Sequence, residues 1–165
     1  MVSIEFPTKR IAVGALIRDQ VGRLLLVKPA YRDGWLVPGG IVDADESPRA
    51  GLCRELREEL NLVLEPGRLL CVDYVSAHGD FADGIHLLFD GGYLANNLVE
   101  VIRVCDPELH TLQWVTDEEA QGLLVPSLAR RVRSLLQAKT SELLYMENGE
   151  QVSDCFSSPV LLSSI

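Results

Sequence analysis

Basic residues and cysteines are scarce in this chain of 165 residues, and long apolar runs are missing. It has 15 Lys and Arg against 24 Asp and Glu, so its formal net charge is −9. So few cations argue against a general binder of nucleic acid or of anionic membranes, because such partners are held by neutralising their phosphates. No apolar stretch approaches the roughly 20 residues that span a bilayer, so no membrane partner is expected. A substrate that carries phosphate would therefore need local help.

The four cysteines form no C-x-x-C pair and show no metal-ligand spacing with the three histidines. They are interpreted as reduced thiols. Lys9 and Arg10, followed by the apolar run 11–17, superficially resemble a signal peptide. However, that run has only about seven residues and ends at Arg18 without a small-residue cleavage site, so a buried strand explains it better. The expected location is the cytoplasm.

The alternation of apolar runs and helical periods predicts an α/β or α+β fold. Hydrophobic residues make up 47% of the chain and its length favours one domain over 1–165, with the segment 141–165 undecided between an extension and a tail. A turn at 147–150 fits either a hairpin or the end of an extended helix. Strands are predicted at 11–17, 24–27, 35–37, 69–75, 85–89, 98–104 and 111–115, and helices at 47–60, after Thr116 and at 126–138.

The helix predicted at 47–60 carries a cluster of acids. Ser47 suits its N-cap, and Asn61 suits a left-handed residue that closes it. At about 100° per residue, Glu55, Glu58 and Glu59 share one face beside the apolar stripe of the helix. The acids are therefore expected at the edge of a sheet, partly sheltered.

Carboxylates crowded in this way destabilise a bare helix. Each Glu pair at i+3 or i+4 costs roughly 0.2–0.5 kcal/mol, and Arg54 offsets part of that through Glu58. A divalent cation would reverse the sign of these terms, and oxygen ligands favour Mg²⁺ or Mn²⁺ over Zn²⁺. Gly51, one turn below the acids, is expected to leave room for waters or a phosphate. For an isolated E-x-x-E-E, a solvated charged face is the plain alternative.

The wider spacing favours chemistry over a solvated face. Gly40, Glu46, the run Arg54-Glu55-Leu56 and the pair Glu58-Glu59 fit the pattern G-x5-E-x7-R-E-U-x-E-E-x-G-U, where U is aliphatic. A chance match at one start is on the order of 10⁻⁷ or rarer. The pattern, preceded by W-L-V-P-G-G at 35–40, resembles the signature of the Nudix hydrolase family. Asn61 stands where that signature has Gly.

The resemblance implies an α/β/α sandwich around a mixed β-sheet. It also implies hydrolysis of a nucleoside diphosphate linked to another moiety, such as a nucleoside triphosphate or an ADP-sugar. In that reaction, a metal-activated water attacks phosphorus. The implied cofactor is Mg²⁺, or Mn²⁺, and the implied partner is a small-molecule nucleotide.

Matched residue by residue, the resemblance also implies roles within the site. Glu55, Glu58 and Glu59 would bind the metal, with the Gly40 carbonyl as a further ligand. Glu59 is the leading candidate for the catalytic base. Arg54 would orient the acids and pair with Glu46, so that both support catalysis.

Other residues are weaker candidates. Some family members take their base from a later loop, where Asp80, Asp83, Glu100 and Glu108 are available, although each is more simply a surface acid. Tyr31 and Trp35 could stack on a nucleobase, but core packing is the favoured role for Trp35. Lys28 and Arg32 are candidates for phosphate contacts, and solvated loop charges explain them equally well.

Two other functions stay open at this point. A non-catalytic domain that senses nucleotides fits the scaffold, although a pure binder has no need of a self-repelling acid cluster. Removal of pyrophosphate from RNA 5′ ends conflicts with the acidic charge. The region 76–80 lacks the Pro or Tyr typical of members that act on ADP-ribose or diadenosine polyphosphates, so the substrate is not fixed. Pairing of edge strands would allow a homodimer.

Overall fold

The computed structural model describes residues 7–79 and 81–152. These residues contain seven strands and four helices, joined by loops. No helix in these ranges is long and apolar enough to cross a membrane. The elements in chain order are β1 Arg10–Arg18, β2 Leu24–Pro29, α1 Pro48–Leu60, β3 Leu69–Val75, β4 Gly84–Tyr93, α2 Asn96–Val101, β5 Leu109–Val115, α3 Asp117–Leu123, α4 Pro126–Gln137, β6 Leu144–Glu147 and β7 Glu150–Gln151.

The strands form one mixed sheet in the order β5-β2-β1-β4-β3-β6-β7. β1 pairs with β4 and β3 with β6 in parallel, and the other neighbours are antiparallel. One core lies between the sheet and α1, and a second lies between the opposite face and α3 with α4. These layers confirm the predicted α/β/α sandwich around a mixed sheet. A homodimer formed at its edges stays a prediction.

A wedge of backbone separates β1 from β2, and this wedge positions the site. The two strands are paired only at Arg18 and Leu24. Beyond that point the segment 36–42 enters: Val13 N–H donates to the Gly40 carbonyl at 2.8 Å, and Val27 N–H donates to the Leu36 carbonyl at 2.8 Å. The strand predicted at 35–37 is therefore only a set of isolated bridges.

Gly39 allows the wedge to approach β1 this closely. A Cβ atom there would lie 2.2 Å from the carbonyl oxygen of Val13, and the φ angle of 137° is one that side chains rarely adopt. Only glycine satisfies both demands. The glycine pair at 39–40 thus brings bare backbone to the gap between the strands.

The strand predicted at 98–104 is wrong, because this segment contains helix α2, Asn96–Val101. A short apolar run cannot be assigned to a strand or a helix from periodicity alone. Val99 and Ile102, three residues apart, both pack against the core beside α1. That spacing suits a helix, since side chains three apart share one face.

The undecided turn at 147–150 is a hairpin between β6 and β7. Asn148 and Gly149 have positive φ angles of 54° and 81°, which is the geometry of a two-residue hairpin loop. β6 extends the sheet by pairing with β3. Residues 153–165, the rest of the uncertain tail, lie outside the described residues.

Both ends of α1 follow the predicted capping. The Ser47 side chain accepts a hydrogen bond from Ala50 N–H at 3.3 Å. Asn61 adopts the left-handed conformation with φ 50°, and its N–H donates to the Arg57 carbonyl at 2.9 Å. Leu62 N–H then donates to the Leu56 carbonyl at 3.1 Å, so the end of the helix is satisfied as a glycine would satisfy it.

The left-handed conformation of Asn61 leads to a stability prediction. Asn61→Ala is expected to lower the free energy of unfolding by about 1–2 kcal/mol, because a Cβ without a compensating polar group is disfavoured there. Asn61→Gly is the matched control and should leave that free energy unchanged or slightly raised. Urea denaturation measures both. An Ala variant as stable as the Gly variant would show that the conformation carries no strain.

Candidate active site

Helix α1 directs its acids at the backbone wedge. Leu52, Leu56 and Leu60 are fully buried against the sheet, which fixes the rotation of the helix. Glu59 is only 9% exposed, and its Oε2 accepts a hydrogen bond from Gly39 N–H at 3.1 Å. Of the predicted acid face, Glu59 therefore meets the wedge, while Glu58 stays exposed.

Glu55 contacts the neighbouring glycine. A Cβ at Gly40 would lie 2.3 Å from Glu55 Oε1, so the absence of a side chain makes space for this carboxylate. The Gly40 carbonyl accepts one hydrogen bond, from Val13, and a carbonyl oxygen has a second lone pair. Glu55 and Glu59 thus bring carboxylate oxygens to the glycine pair of the wedge.

Burial, together with the negative charges of Glu55, Asp106 and Glu108, raises the pKa of Glu59 to about 8, against the opposing effect of the hydrogen bond from Gly39. The pKa of Glu55 is also raised, first by burial, although Arg54 opposes the shift. Without added positive charge, Glu59 therefore keeps its proton near neutral pH. The local electrostatics disfavour two charged acids at the wedge.

Arg54 is the centre of the ion pairs beside these acids. Its Nε and Nη2 donate to the two oxygens of Glu46 at 3.1 and 3.0 Å, the pair that the sequence suggested. Its Nη1 lies 3.1 Å from Glu55 Oε1 and 3.0 Å from Glu58 Oε2. The hydrogen bonds from Arg54 lower the pKa of Glu46. Arg54 therefore supplies the positive charge that compensates Glu46, Glu55 and Glu58.

The room expected beside Gly51 is not there. A Cβ at this position would lie 2.9 Å from Glu46 Oε2 and 3.3 Å from Val42 Cγ2. The Glu46 carboxylate fills the space because Arg54 holds it against α1. Gly51 accommodates that side chain, so the expectation of waters or a phosphate at this point was wrong.

The donor set fits a hard dication by its chemistry. Glu55, Glu58, Glu59 and the Gly40 carbonyl offer only oxygen, which Mg²⁺ and Mn²⁺ prefer. The raised pKa values of Glu55 and Glu59 mark a place where positive charge is in short supply. Within residues 7–79 and 81–152, no three acidic, His or Cys side chains are already gathered as a metal site. Glu58 has a side chain 53% exposed and is bound to Arg54, so it must change partner to join the others.

A cavity of about 280 Å³ opens on the other side of the wedge. Gly39 and Gly40 form part of its wall, together with Tyr31 and Arg32. Partial desolvation raises the pKa of Tyr31, although the residue is 67% exposed, and the charges of Glu108, Glu59 and Glu55 add to the rise. Two of the four side chains suggested for substrate contacts therefore lie at the cavity.

The other two do not line it. The Lys28 ammonium donates to the carbonyls of Arg32 and Gly34 at 3.3 and 3.2 Å, so it braces the loop. Trp35 packs against the core next to α3 and α4, the role favoured for it from the sequence. Its backbone N–H donates to the Leu123 carbonyl at 3.0 Å. Lys28 and Trp35 therefore hold the loop that carries Tyr31 and Arg32.

The four acids suggested as an alternative catalytic base differ in how they relate to the α1 acids. Asp83 is paired with Lys9 and accepts from the Tyr74 hydroxyl at 3.0 Å, and Glu100 is exposed on α2. Glu108 contributes to the raised pKa of Glu59, and its carbonyl accepts a hydrogen bond from Ala30 N–H at 2.7 Å, next to Tyr31. Asp80 lies outside the described residues. Of the acids in this set that the structure describes, Glu108 is the one that joins the site.

Two features of the site have no local signal in the sequence. Asp106 raises the pKa of Glu59, and the segment carrying it is held to α1 by the hydrogen bond from Cys105 N–H to the Glu59 carbonyl at 2.7 Å. The amide of Gly39 is the hydrogen-bond donor to Glu59. Both contacts join residues far apart in the chain, and only the sheet order could have revealed them.

The raised pKa of Glu59 gives a pH dependence of stability. Because its folded value of about 8 lies above the ordinary 4.5, the unfolded chain loses this proton first, and stability falls as the pH rises through that window. Glu59→Gln stays neutral and should not show this loss. Without divalent cations, the free energy of unfolding of Glu59→Gln minus that of the parent protein should therefore increase between about pH 5 and pH 8, by at most about 5 kcal/mol.

Urea denaturation in the presence of EDTA, at several pH values in this window, measures the difference. The matched control is Glu118→Gln, which removes the charge of an exposed acid on α3. Its curve should stay parallel to that of the parent. A parallel curve for Glu59→Gln as well would mean that the Glu59 pKa is not raised.

Comparisons with known proteins agree with this geometry. A family model described as NUDIX domain matches residues 8–138. A MutT-like protein from Streptomyces ambofaciens is 25% identical over 130 residues, 79% of each chain. The CTP pyrophosphohydrolase of Escherichia coli strain K12 is 41% identical over 85 residues, which cover 48% of this chain and 59% of that protein. The crystal structure of a MutT protein from Methanosarcina mazei Go1 superposes with a TM-score of 0.68 and 27% identity, over 82% of this chain and 97% of that one. The chain therefore belongs to the Nudix hydrolase family.

Proposed function

We propose that this Nudix protein is a Mg²⁺- or Mn²⁺-dependent pyrophosphohydrolase of small nucleotides. It cleaves the pyrophosphate linkage of a nucleoside diphosphate joined to another moiety. The observation that carries the proposal is the position of Glu59, a buried carboxyl group held by Gly39 where the α1 acids meet the cavity wall. Perturbed acids next to a cavity are typical of catalytic sites.

The residues that would hold the metal are Glu55, Glu58, Glu59 and the Gly40 carbonyl. When bound, a hard dication supplies the positive charge that lets a carboxylate cluster accept the negative oxygens of a substrate. In its carboxylate form, which a bound dication would favour over the protonated one, Glu59 is placed to accept the proton of the attacking water. A phosphorus–oxygen bond forms with that water as the bridging phosphorus–oxygen bond breaks, and the proton taken up by Glu59 then passes to the leaving oxygen or to solvent.

Arg54 and Glu46 position the acids without touching the substrate. The guanidinium holds Glu46 at one end and Glu55 and Glu58 at the other. This arrangement sets the side-chain rotamers of two metal-ligand candidates and balances their charge in the free protein. Tyr31 and Arg32, on the loop at the cavity, are candidates for contacts with the nucleotide.

A small nucleotide is favoured over RNA as substrate. The net charge of −9 opposes binding of a long phosphate backbone. The cavity of about 280 Å³ lies just under the range typical of small-molecule sites. Relatives named RNA pyrophosphohydrolase match only 28% of their own length, whereas the relative named CTP pyrophosphohydrolase matches over 59% of its length.

The test is a panel of nucleoside triphosphates, nucleotide sugars and dinucleotides, assayed with EDTA, Mg²⁺ or Mn²⁺. Hydrolysis should require a dication. Glu59→Gln should lower kcat by about 10²-fold or more, because general-base catalysis contributes that much, while its circular dichroism stays that of the parent. Glu118→Gln should keep full activity, since this acid is remote from the cavity.

Two results would contradict parts of the proposal. Unchanged turnover in Glu59→Gln would move the base to Glu108, the later acid near the site. A silent panel, combined with nucleotide binding seen by calorimetry, would favour the non-catalytic sensing domain.

A further inference from the structure

We infer that the end of the cavity away from the α1 acids is a base-selective subsite, in which Arg10 and His86 bind nucleobases that carry a ring carbonyl in preference to adenine. The ring carbonyl occurs in guanine, cytosine and uracil. The inference rests on the proposed function for the placement of the phosphates at the wedge. It adds the feature by which the substrate base would be chosen.

The register of the sheet places this subsite. Ala12 pairs with His86 on the neighbouring strand β4, and Arg10 lies two residues from Ala12, so both side chains point to the face covered by α4. Val13 carries the hydrogen bond to Gly40. At a rise of about 3.3 Å per residue, Arg10 therefore lies roughly 10 Å along β1 from the glycine pair. A nucleotide with its phosphates at the wedge would direct its base to this end.

Two buried nitrogen atoms lack partners there. Arg10 Nε and His86 Nε2 are inaccessible to solvent and make no hydrogen bond to any described residue, and both residues line the cavity. Buried polar atoms in native proteins are nearly always paired. A ligand in the cavity would remove this deficit once the two side chains turn these nitrogen atoms toward it.

The chemistry of the wall is rich in donors. An arginine offers only N–H donors, and a neutral imidazole offers one donor and one acceptor. Burial, together with the nearby Arg131 and Arg10, lowers the pKa of His86 to about 4, so the imidazole is neutral. Arg131 also lines the cavity but is paired with the buried Asp73. Arg10 can therefore pair only with an acceptor, and His86 can pair with one through its ring N–H.

Carbonyl oxygens of bases are such acceptors. Guanine O6, uracil O4 and cytosine O2 each accept a hydrogen bond, whereas adenine has no carbonyl: at the position of guanine O6 it carries an amino donor that would meet other donors, and only its ring nitrogens accept. The Arg10 guanidinium lies over the Phe81 ring, 5.0 Å from its centroid, and the His78 ring is 5.7 Å away, so Phe81 holds Arg10 at this end of the cavity. The selection would come from Arg10 and His86.

Binding of nucleoside monophosphates tests the inference without turnover. GMP, CMP, UMP and AMP are titrated into the protein, with calorimetry for Kd and the imidazole resonances of His86 as a local probe. AMP should bind about tenfold more weakly than the best of the other three, the discrimination typical of a good polar contact to a base. The His86 resonances should shift with the preferred nucleotide.

Variants assign the selectivity to the named side chains. Arg10→Met and His86→Phe should each bring the Kd ratio between AMP and the preferred nucleotide to within about twofold. Arg10→Lys keeps the charge but not the Nε donor, and it should also lose most of the ratio. Arg103→Met is the matched control, because Arg103 is exposed outside this cavity. Circular dichroism checks that each variant is folded.

Several outcomes would overturn the inference. They are tightest binding of AMP, a ratio that survives all three variants at Arg10 and His86, or an equal loss for all four nucleotides in Arg10→Met. The last result would mean that Arg10 binds a phosphate. Since no hydrolysis is needed, base selectivity without turnover would support the subsite and sink only the proposed activity. Hydrolysis without selectivity would do the reverse.

Discussion

The contact between the Gly39–Gly40 backbone and the carboxylates of Glu55 and Glu59 connects the fold of this protein to its site. It forms because β1 and β2 separate and admit a third stretch of chain, which a side chain at either glycine would block. On one side of that stretch lies α1 with its acids, and on the other lies the cavity. The wedge thus faces both.

The cost of this arrangement is electrostatic. A buried Glu59 beside Glu55, with Asp106 and Glu108 nearby, is stable only while protonated or while positive charge is close. Arg54 pairs instead with Glu46, Glu55 and Glu58, and Glu59 has no such ion pair among the described residues. Because the Glu59 carboxylate lacks a compensating positive charge, a dication is expected among these oxygens.

Local features of the site could be predicted from the sequence, and long-range ones could not. The caps of α1 at Ser47 and Asn61 depend on neighbouring residues, so spacing revealed them. The segment 98–104 was misjudged because its apolar residues suit either element. The role of Gly51 depended on where Glu46 turns, and that is decided by Arg54 eight residues away. Arg10 and His86 are brought to the same end of the sheet by the parallel pairing of β1 with β4. Their spacing along the chain does not predict this pairing.

An acidic protein that binds an anionic substrate needs its charges divided in space. Here the carboxylates gather on the α1 side of the wedge, while the cavity wall carries Arg10, Arg32 and Arg131. One of these cations, Arg131, is neutralised by Asp73, which is fully buried and also accepts from Gly149 N–H at 3.1 Å. The pair therefore joins α4 to the β6–β7 hairpin and leaves net positive charge to Arg10 and Arg32. A nucleotide can then be attracted by the cavity wall while its phosphates reach the acids only in company with a metal.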